Sequence, residues 1–447
     1  MTTKTQPIDF LEELAWRGLL HQCTDEQGLR DHLADPDNAT RKAYCGFDPT
    51  ADSLTIGNLV PIMTLIHFAR AGHTPVVVMG GGTGLIGDPS GKTAERQLRT
   101  TEEIVANVNA QRGIFERAFE GADMPAPTIT NNIDWLGNLG YIEALRDVGK
   151  HFSVNMMMQK ESVKARLENR EQGISYTEFS YMILQAYDFL RLYKDAGVTI
   201  QLGGSDQYGN IVAGMDLIRR IETEDSDAPS SAFGATVPLV TKADGTKFGK
   251  TESGAVWLTA PSEADASPNR TSAYAYYQFW LNASDEDVGK FLRIFTILPR
   301  EEIESLEARH AEAPGKREAQ RALARAATSI LHGEEATQRA EAAAGALFSG
   351  DIADLDKQTL AEVFASVPSS NHNKQDLAQG ADPIDLLVET GLAQSKRQAR
   401  EFIQAGAVSI NGRKLAEGDQ ITTDDLLHNE TIAIRRGKKN WHATRWS

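Results

Sequence analysis

The sequence predicts an α/β protein in which a parallel-sheet domain is followed by a helical segment and a small basic α/β module. Up to about residue 235, short apolar runs typical of strands alternate with amphipathic runs typical of helices, which is the pattern of a parallel sheet. Two of the apolar runs lead directly into glycine-rich loops, where open α/β sheets bind ligands. From Gly391 onward the chain contains ten Lys or Arg and six Asp or Glu, although its total net charge is −16.

Length and composition restrict the class of protein further. The 447 residues correspond to about three domains, and 41% hydrophobic with 24% charged residues is typical of a globular protein. No apolar run reaches the roughly 18 residues of a membrane-spanning helix. The N-terminus lacks the apolar core of a signal peptide, and the only cysteines are Cys23 and Cys45. We therefore expect a soluble, cytoplasmic protein without a structural metal site.

The elements of the first domain follow from hydrophobic periodicity and from turn residues. Helices are predicted over 11–20 and 59–71. Strands are predicted over 44–47, 74–79 and 198–202, each followed by a turn or a glycine-rich loop. These loops would lie at the carboxyl edge of the sheet.

The second half of the chain has a different composition. Residues 301–347 are rich in Ala, Glu and Arg and predict a helical bundle, whereas the polar residues 366–383 are typical of a linker. Asn411-Gly412, after a short apolar run, predicts a tight β-hairpin. The expected divisions are a ligand-binding domain over 1–235, a loop and helical domain over 236–368, a linker over 369–382 and a basic α/β module over 383–447.

The glycine cluster after the second strand resembles two phosphate-binding motifs and satisfies neither. Gly82, Gly84 and Gly87 fit G-x-G-x-x-G, but the acidic residue expected about 20 positions later, at the end of a strand, is missing. A Walker A loop would require glycine at the position of Ile86. The dehydrogenase interpretation therefore fails. The segment is either a structural turn or a loop that contacts phosphate or substrate through Asp88, Lys92 and Arg96.

The segment 49–59 joins the first strand to a helix N-terminus, where free N–H groups and the helix dipole favour an anion. Gly57 leaves the backbone open to a flat ligand. Ser53 or Thr55 would alternatively serve as a helix cap. A nucleotide site and a simple cap both remain open from this pattern.

Two further patterns combine polar side chains with ligand-binding geometry. Tyr181, Gln185 and Asp188 recur at helical spacing and share one face of a predicted helix over 177–194. A polar stripe on an otherwise apolar helix either faces solvent or lines a pocket, because its burial without partners is costly. Lys247 and Lys250 lie in one loop, which is either an ordinary basic loop or a clamp for a polyphosphate.

Taken in their order along the chain, these segments resemble the bacterial tyrosyl-tRNA synthetases, which are class I aminoacyl-tRNA synthetases. The similar blocks are 44–54 (YCGFDPTADSL), 84–90 (GLIGDPS), 177–181 (TEFSY), 203–207 (GGSDQ), 247–251 (KFGKT) and the tail from about 383 with 395–400 (SKRQAR). The resemblance covers nearly the whole chain. It implies a Rossmann-like catalytic domain, a helical middle domain and an S4-like RNA-binding domain.

The resemblance also implies an activity, in which tyrosine reacts with ATP to give tyrosyl-adenylate and pyrophosphate. Tyrosine then moves to the 3'-terminal ribose of tRNA(Tyr). Such a reaction needs positioning and charge stabilisation rather than a protein nucleophile. By this resemblance Tyr44 and Asp188 bind the phenol of tyrosine. The residues implied to hold its ammonium group and its reacting end are Asp88, Tyr181, Gln185 and Gln207.

The resemblance assigns the remaining blocks to ATP. The residues implied to bind ATP are Cys45, Asp48, Gly57, Asn58, Gly204, Asp206 and Lys250. Those implied to stabilise the departing pyrophosphate are Thr50, Lys92, Arg96, Lys247, Lys250 and Thr251. Mg²⁺ is expected to accompany the ATP phosphates.

The sequence departs from the family at two signatures, and the KMSKS motif is present as the Phe-Gly variant 247–251 (KFGKT). The family's HIGH motif is replaced by Thr55-Ile56-Gly57-Asn58, which contains no histidine. We hypothesise that Thr55 takes over part of the stabilisation of pyrophosphate, with Asn58 as a hydrogen-bond donor. A tryptophanyl-type synthetase, and an RNA-binding regulator that has lost catalysis, are the alternatives to a tyrosine enzyme.

The basic tail is the expected tRNA-binding surface. Lys396 and Arg400 are separated by four residues and would share one helix face. The expected tRNA contacts are Lys396, Arg397, Arg400, Arg413 and Lys414, and they could be extended by Arg435, Arg436, Lys438 and Lys439. Homodimerisation is implied by the family, with tyrosine, ATP and tRNA(Tyr) as the other partners.

Overall fold

The computed structural model describes residues 8–35, 40–89, 98–160, 163–164, 167, 173–222, 232–246, 248–251, 254–262, 267–350, 352–365, 367–437 and 440–447. The chain divides into two compact units. One is Met1–Thr271 with Asn282–His332, and the other is Ser272–Leu281 with Gly333–Ser447. Among the described residues, no helix has both the length and the apolar character needed to cross a membrane.

A six-stranded sheet organises the first unit. Its strands are β1 (Gln22–Cys23), β2 (Lys42–Phe47), β3 (Thr74–Met79), β4 (Thr128–Asn131), β5 (Ile200–Gly204) and β6 (Phe233–Val237). They lie in the order β1-β6-β5-β2-β3-β4. All neighbours are parallel except β1, which is antiparallel to β6. The α/β fold class with a parallel sheet is therefore confirmed.

The order of the strands locates the ligand-binding edge. From β2 the chain proceeds outward through β3 to β4, and it then returns to the other side of β2 through β5 and β6. Ligands of open α/β sheets bind at such a switch point, outside the carboxyl ends of the strands. The carboxyl ends of β2 and β5 meet at this point. A separate two-stranded antiparallel sheet follows along the chain, formed by β7 (Lys250–Thr251) and β8 (Gly254–Ala255).

The helices are numbered in chain order. They are α1 (Phe10–Arg17), α2 (Glu26–Ala34), α3 (Leu59–Arg70), α4 (Thr101–Gly121), α5 (Ile133–Leu136), α6 (Tyr141–Glu143), α7 (Val154–Met158), α8 (Tyr176–Ala196), α9 (Tyr208–Glu222), α10 (Ala273–Leu281), α11 (Val288–Phe295), α12 (Arg300–Glu312), α13 (Glu318–Ser349), α14 (Lys357–Phe364), α15 (Lys374–Leu377), α16 (Pro383–Glu389) and α17 (Lys396–Gln404). Gly333 has a non-helical backbone (φ 80°, ψ 165°) and divides α13.

Local sequence explains where the site-bearing helix α8 begins and ends. The Ser175 side chain accepts the backbone N–H of Glu178 and caps the first turn. Gly197 follows the last turn in the left-handed conformation (φ 65°, ψ 32°) and stops the helix. In the same way Gly18 (φ 72°) ends α1 at Arg17, three residues before the predicted end.

The core of the first unit covers the face of the sheet that carries Tyr44, Val76 and Val78. Against this face pack Phe189 of α8 and Leu217 of α9. Alternate residues of a strand point to opposite faces, so Tyr44 is held in the same layer as the core residues of β3. This layer supports the floor of the cavity described below.

A five-stranded sheet organises the second unit. Its strands are β9 (Ser369–His372), β10 (Val408–Ile410), β11 (Arg413–Lys414), β12 (Thr431–Arg436) and β13 (Asn440–Trp446), in the order β11-β10-β12-β13-β9. The predicted hairpin is confirmed, because Asn411 (φ 47°) and Gly412 (φ 91°) connect β10 to β11 with the positive φ angles of a tight turn.

The predicted linker and domain limits differ from the observed units. Residues 369–382 include β9, which pairs in parallel with β13, and α15. Polar residues such as Ser369 and His372 give little strand signal, but an edge strand pairs through its backbone and tolerates them. The predicted domain over 236–368 is also divided, because 236–271 and 282–332 cluster with the first unit.

Candidate active site

A cavity of about 460 Å³ opens at the carboxyl ends of β2 and β5. Its walls contain twelve of the predicted tyrosine- and ATP-binding residues and two, Thr50 and Thr55, that are predicted to stabilise pyrophosphate. They are Tyr44, Cys45, Asp48, Thr50, Thr55, Gly57, Asn58, Asp88, Tyr181, Gln185, Asp188, Gly204, Asp206 and Gln207. The polar stripe on α8 therefore faces a pocket and not solvent.

Some predicted residues lie beyond what the structure shows. Lys92, Arg96 and Lys247 are outside the described residues. Lys250 and Thr251 are described as backbone only, in strand β7. Their part in the site stays a prediction.

Asp188 lies at the bottom of the cavity and is held by two donors. The Asn132 Nδ2 atom donates to Oδ2 at 2.9 Å, and the Trp135 Nε1 atom donates to Oδ1 at 2.7 Å. Burial raises the pKa of Asp188 to about 7; the two donors oppose this rise and the nearby Asp48 adds to it. The carboxylate is therefore poised between its charged and neutral forms near neutral pH.

Tyr44 lies next to Asp188 and is 2% exposed. Its ring packs against Phe189 with centroids 5.3 Å apart. The Tyr44 hydroxyl is buried and has no hydrogen-bond partner among the described residues. Burial, followed by the charge of Asp188, raises the pKa of Tyr44 well above its usual value. A buried phenol without a partner is costly, so this corner suits a ligand hydroxyl that pairs with both side chains.

Asp48 follows β2 and links the two ends of the cavity. It accepts from the Thr83 hydroxyl at 2.8 Å and from the Tyr181 hydroxyl at 3.0 Å. Thr83 in turn accepts from Asn132 Nδ2 at 3.0 Å. Gly80 permits this arrangement, because a Cβ atom there would lie 2.2 Å from Asp48 Oδ1. The carboxylates of Asp48 and Asp188 are thus tied to one network.

A chain of amides crosses the opposite wall. The Gln207 Nε2 atom donates to Asp88 Oδ2 at 2.7 Å, and the Gln185 Nε2 atom donates to Gln207 Oε1 at 3.1 Å. Tyr181 lies near Asp48 and Asp88, and burial together with these carboxylates raises its pKa well above the usual value. The phenol hydroxyl of Tyr181 therefore stays protonated and acts as a donor at neutral pH.

The wall formed by β2 and β5 carries Cys45 and Asp206. Burial, followed by the charge of Asp206, raises the pKa of the Cys45 thiol to about 12, so the group is a neutral thiol at physiological pH. Burial also raises the pKa of Asp206, and the neighbouring Asp88 contributes to this rise. The two groups offer a weak donor and an acceptor to a polar ligand.

Comparison with known proteins agrees with this geometry. The family described as tRNA synthetases class I (W and Y) matches residues 37–349, and the family described as Tyrosine--tRNA ligase SYY-like C-terminal domain matches residues 359–444. The chain is 52% identical over 444 residues to the tyrosine–tRNA ligase of Geobacillus kaustophilus, covering 98% of this chain and all of that protein. The chain belongs to the tyrosyl-tRNA synthetases.

Further relatives support the assignment. The chain is 49% identical over 436 residues to tyrosine–tRNA ligase 1 of Bacillus subtilis, covering 97% of this chain and 98% of that protein. It also superposes on a C-terminally truncated mitochondrial tyrosyl-tRNA synthetase of Aspergillus nidulans. That comparison has a TM-score of 0.66 at 28% identity and covers 76% of this chain and 94% of the other.

The altered signature of this tyrosyl-tRNA synthetase forms a closed turn before α3. The Thr55 hydroxyl and the Thr55 backbone N–H both donate to Asn58 Oδ1, at 3.0 Å and 3.1 Å. The Thr55 hydroxyl proton is therefore engaged within the turn, and Asn58 retains its Nδ2 group as a donor. Gly57 is exposed on the cavity wall, and the nearest atom to a Cβ built there is 3.7 Å away.

The described part of the predicted loop, residues 248–251, lies beside this turn. Gly249 has φ 84°, and a Cβ atom there would lie 2.6 Å from the Cγ2 atom of Ile56. Phe248 anchors the loop, since its ring stacks on Phe295 with centroids 5.0 Å apart. The backbone of the loop is thus held against the N-terminal turn of α3.

Sequence reasoning missed Asn132, Trp135 and Thr83. Asn132 and Trp135 follow the short strand β4, which was not predicted because 128–131 contains little apolar periodicity. A polar pair after a strand-length segment was the available signal. Asn210 in α9, which contacts both Gln185 and Gln207, was also missed.

The predicted tRNA-binding residues lie in the second unit and most form ion pairs there. Lys396 pairs with Asp385 at 2.5 Å, Arg397 with Glu401 at 3.3 Å, and Arg413 with both Asp419 and Asp425 at 3.2 Å and 3.0 Å. Arg400 and Lys414 are exposed. Exposed pairs of this kind contribute little stability and can exchange with phosphate.

A second cavity, of about 700 Å³, lies in the second unit between α14, β9 and β13. It contains none of the predicted site residues. The predicted site residues line the smaller cavity, which lies at the switch point of the sheet and contains the buried carboxylates Asp88 and Asp188.

Proposed function

We propose the following residue roles for the tyrosine–tRNA ligase activity of this chain. The cavity of the first unit binds L-tyrosine and ATP, forms tyrosyl-adenylate and pyrophosphate, and then transfers tyrosine to the 3'-terminal ribose of tRNA(Tyr). The observation that supports tyrosine as the substrate is the unpartnered Tyr44 hydroxyl beside the Asp188 carboxylate.

Phenol recognition uses these two side chains together. The substrate hydroxyl donates to Asp188 and accepts from Tyr44, so all three groups become hydrogen-bonded on binding. Phenylalanine would leave the buried Tyr44 hydroxyl without a partner, which costs about 1–3 kcal/mol, and it would offer no donor to Asp188. The general rule that a site built for a hydroxyl rejects the analogue lacking it is illustrated by enzymes of this family.

The amino-acid end of tyrosine lies along the amide chain. Asp88 and the Tyr181 hydroxyl, together with Gln185, hold the ammonium group, and Gln207 lies by the carboxylate. The Asp88 carboxylate supplies the negative charge that an ammonium group needs, and Gln207 already donates to it at 2.7 Å. This arrangement directs the substrate carboxylate toward Asp48 and the mouth of the cavity.

ATP occupies the wall between β2, β5 and the turn before α3. Cys45, Gly204 and Asp206 contact its ribose, Gly57 lies beside the adenine, and Asn58 donates to the phosphates. The substrate carboxylate attacks the α-phosphate in line and pyrophosphate leaves, so that the protein positions the reactants and stabilises charge. Mg²⁺ enters with ATP as part of the substrate.

Pyrophosphate departs toward the loop that lies against the turn before α3. The groups proposed to stabilise its charge are Thr50, Thr55, Lys92, Arg96, Lys247, Lys250 and Thr251. Since the Thr55 hydroxyl donates to Asn58, Thr55 contributes only if that hydrogen bond exchanges for one to phosphate. The lysines are therefore proposed to carry most of the charge stabilisation.

Two exposed surfaces are proposed to bind the remaining partners, which are tRNA and a second copy of the chain. Lys396, Arg397, Arg400, Arg413 and Lys414 contact tRNA phosphates from the second unit. Large apolar side chains are exposed on the first unit at Tyr141 (64%), Ile142 (73%), Val154 (57%) and Met156 (56%). Apolar groups exposed in this way mark an interaction surface, and we propose that they form a homodimer interface. We also propose that the enzyme acts in the cytoplasm, where tRNA is charged.

ATP–pyrophosphate exchange with tyrosine, phenylalanine and tryptophan tests the proposal. Wild-type protein should exchange with tyrosine only, and Tyr44→Phe should weaken the preference for tyrosine over phenylalanine. Exchange with tryptophan would instead support the tryptophanyl-type alternative. No exchange with any amino acid would indicate a catalytically impaired RNA-binding relative.

A further inference from the structure

Asn210 is a buried polar side chain that the reaction scheme above does not use. It lies in the first turn of α9, is 7% exposed and is absent from the cavity wall. Its Nδ2 group donates to Gln185 Oε1 at 3.0 Å and to Gln207 Oε1 at 3.2 Å. Both hydrogens of one amide are thus directed to the two glutamines of the active site.

The direction of the hydrogen bonds along the chain of amides follows from its last member, Asp88. Asp88 is a carboxylate and only accepts, so Gln207 must present Nε2 to it and Oε1 to the other side. Gln185 must then present Nε2 to Gln207, which turns its own Oε1 toward Asn210. Donors therefore run in one direction from Asn210 through the glutamines to Asp88, whatever orientation each amide is first given.

This direction determines what Gln207 can offer a ligand. Its Oε1 atom already accepts from both Gln185 and Asn210, which uses both lone pairs of an amide oxygen. Its Nε2 atom donates to Asp88 at 2.7 Å and, through a longer hydrogen bond, to Asp206 Oδ2 at 3.4 Å. Gln207 can therefore act toward a ligand only as a donor, by exchanging the longer hydrogen bond to Asp206 for one to the ligand, which suits a carboxylate.

We propose that Asn210 is a positioning residue that holds Gln207 as a one-way donor to the carboxylate of the amino-acid substrate. This inference rests on the proposed function, because it takes the ligand carboxylate to lie beside Gln207. Without the two N–H groups of Asn210, the Gln207 amide is oriented from one side only, by Asp88, and the Gln185 oxygen loses its donor. Gln207 would then present its oxygen to the reacting carboxylate in part of the population.

Two variants of similar volume distinguish removal of the Asn210 N–H groups from their replacement by hydrogen-bond acceptors. Asn210→Leu removes both N–H groups. Asn210→Asp replaces them by acceptors, which favours the opposite direction of the chain and places the Gln207 oxygen against Asp88. We expect kcat/KM for tyrosine in pyrophosphate exchange to fall about tenfold or more in Asn210→Leu, and further in Asn210→Asp.

The decisive comparison uses tyramine, which has the phenol and the ammonium group of tyrosine but no carboxylate. If Asn210 acts mainly through the substrate carboxylate, Asn210→Leu should raise the inhibition constant of tyramine by a clearly smaller factor than it lowers kcat/KM for tyrosine, because tyramine contacts Gln185 but has no carboxylate for Gln207. An equal change for both ligands, or no change for either, would overturn the proposal. Asn107→Leu, at another buried Asn that donates to the Pro49 carbonyl, controls for an apolar side chain in place of a buried amide.

A double-mutant cycle keeps the test informative if Asn210→Leu lowers stability. In a Gln207→Ala background, Asn210→Leu should cause little further loss of kcat/KM, because its target is already absent. Additive losses would show that Asn210 does not act through Gln207. Failure of the proposed function is distinguished from these outcomes, since it would appear as absence of tyrosine-dependent exchange in the wild-type protein.

Discussion

Replacing Asp188 by Asn should make the protein more stable at alkaline pH while removing tyrosine recognition. Burial raises the pKa of Asp188 from 3.8 to about 7 in the folded protein. Between these two values the unfolded chain releases a proton that the folded protein retains. The carboxylate therefore costs stability that increases as pH rises from about 4 to about 7, and the cost levels off at about 4 kcal/mol.

The pH dependence isolates this effect from other consequences of the substitution. The same two pKa values give a cost of about 1.5 kcal/mol at pH 5 and about 4 kcal/mol at pH 8, so the advantage of Asp188→Asn should grow by about 2.5 kcal/mol over this range. Asn cannot accept from both Asn132 and Trp135 as the carboxylate does. The lost hydrogen bond lowers the free energy of unfolding of the variant by about 1–3 kcal/mol, and this loss is the same at each pH.

The assay is urea unfolding of wild type and Asp188→Asn at pH 5, 6.5 and 8, at one protein concentration. Asp134→Asn, at an exposed carboxylate, is the control and should show no such trend. A difference between Asp188→Asn and wild type that is constant or decreases with pH would refute the reasoning. The variant should also lose tyrosine-dependent pyrophosphate exchange at every pH.

The cavity and the two units support three more predictions. Trp135→Phe removes one donor to Asp188 and raises the pKa of Asp188 further, so KM for tyrosine should rise about tenfold at pH 7 and less at pH 9. A KM equal to that of the wild type at pH 7 would contradict this. Gly249→Ala forces a Cβ atom to within 2.6 Å of Ile56, and it should lower kcat for exchange while leaving the tyrosine dissociation constant nearly unchanged. Ending the chain after Ser349 should preserve exchange and abolish tRNA charging, whereas parallel loss of both activities would show that the second unit is needed for adenylate formation.

Much of the fold could be predicted because its signals are local. The strand over 74–79 is marked by its apolar run and is present with the predicted bounds. The helix over 177–194 is marked by apolar periodicity and extends one residue further at its start and two at its end. The turn at Asn411-Gly412 depends on two adjacent residues that adopt positive φ. The strand β9 was missed because an edge strand pairs through backbone groups that any side chain provides.

The partners of the site residues could not be predicted in this way. Asn132 and Trp135 lie more than fifty positions from Asp188 and meet it only because β4 and α8 approach each other in the folded unit. Asn210 is close to Gln207 in sequence, but its contact with Gln185 depends on the packing of α9 on α8. No periodicity in the sequence encodes such contacts.

The sequence alone determined the fold class and the family blocks, which depend on residue type and spacing, and the family resemblance implied fourteen of the residues that line the cavity. Only the tertiary structure decided the chemical state of those residues. The pKa of Asp188 reaches about 7 because folding removes water from it, and the direction of the amide chain is decided by where Asp88 lies relative to the glutamines. Desolvation and hydrogen-bond direction arise from distances between distant segments, and these exist only in the folded chain.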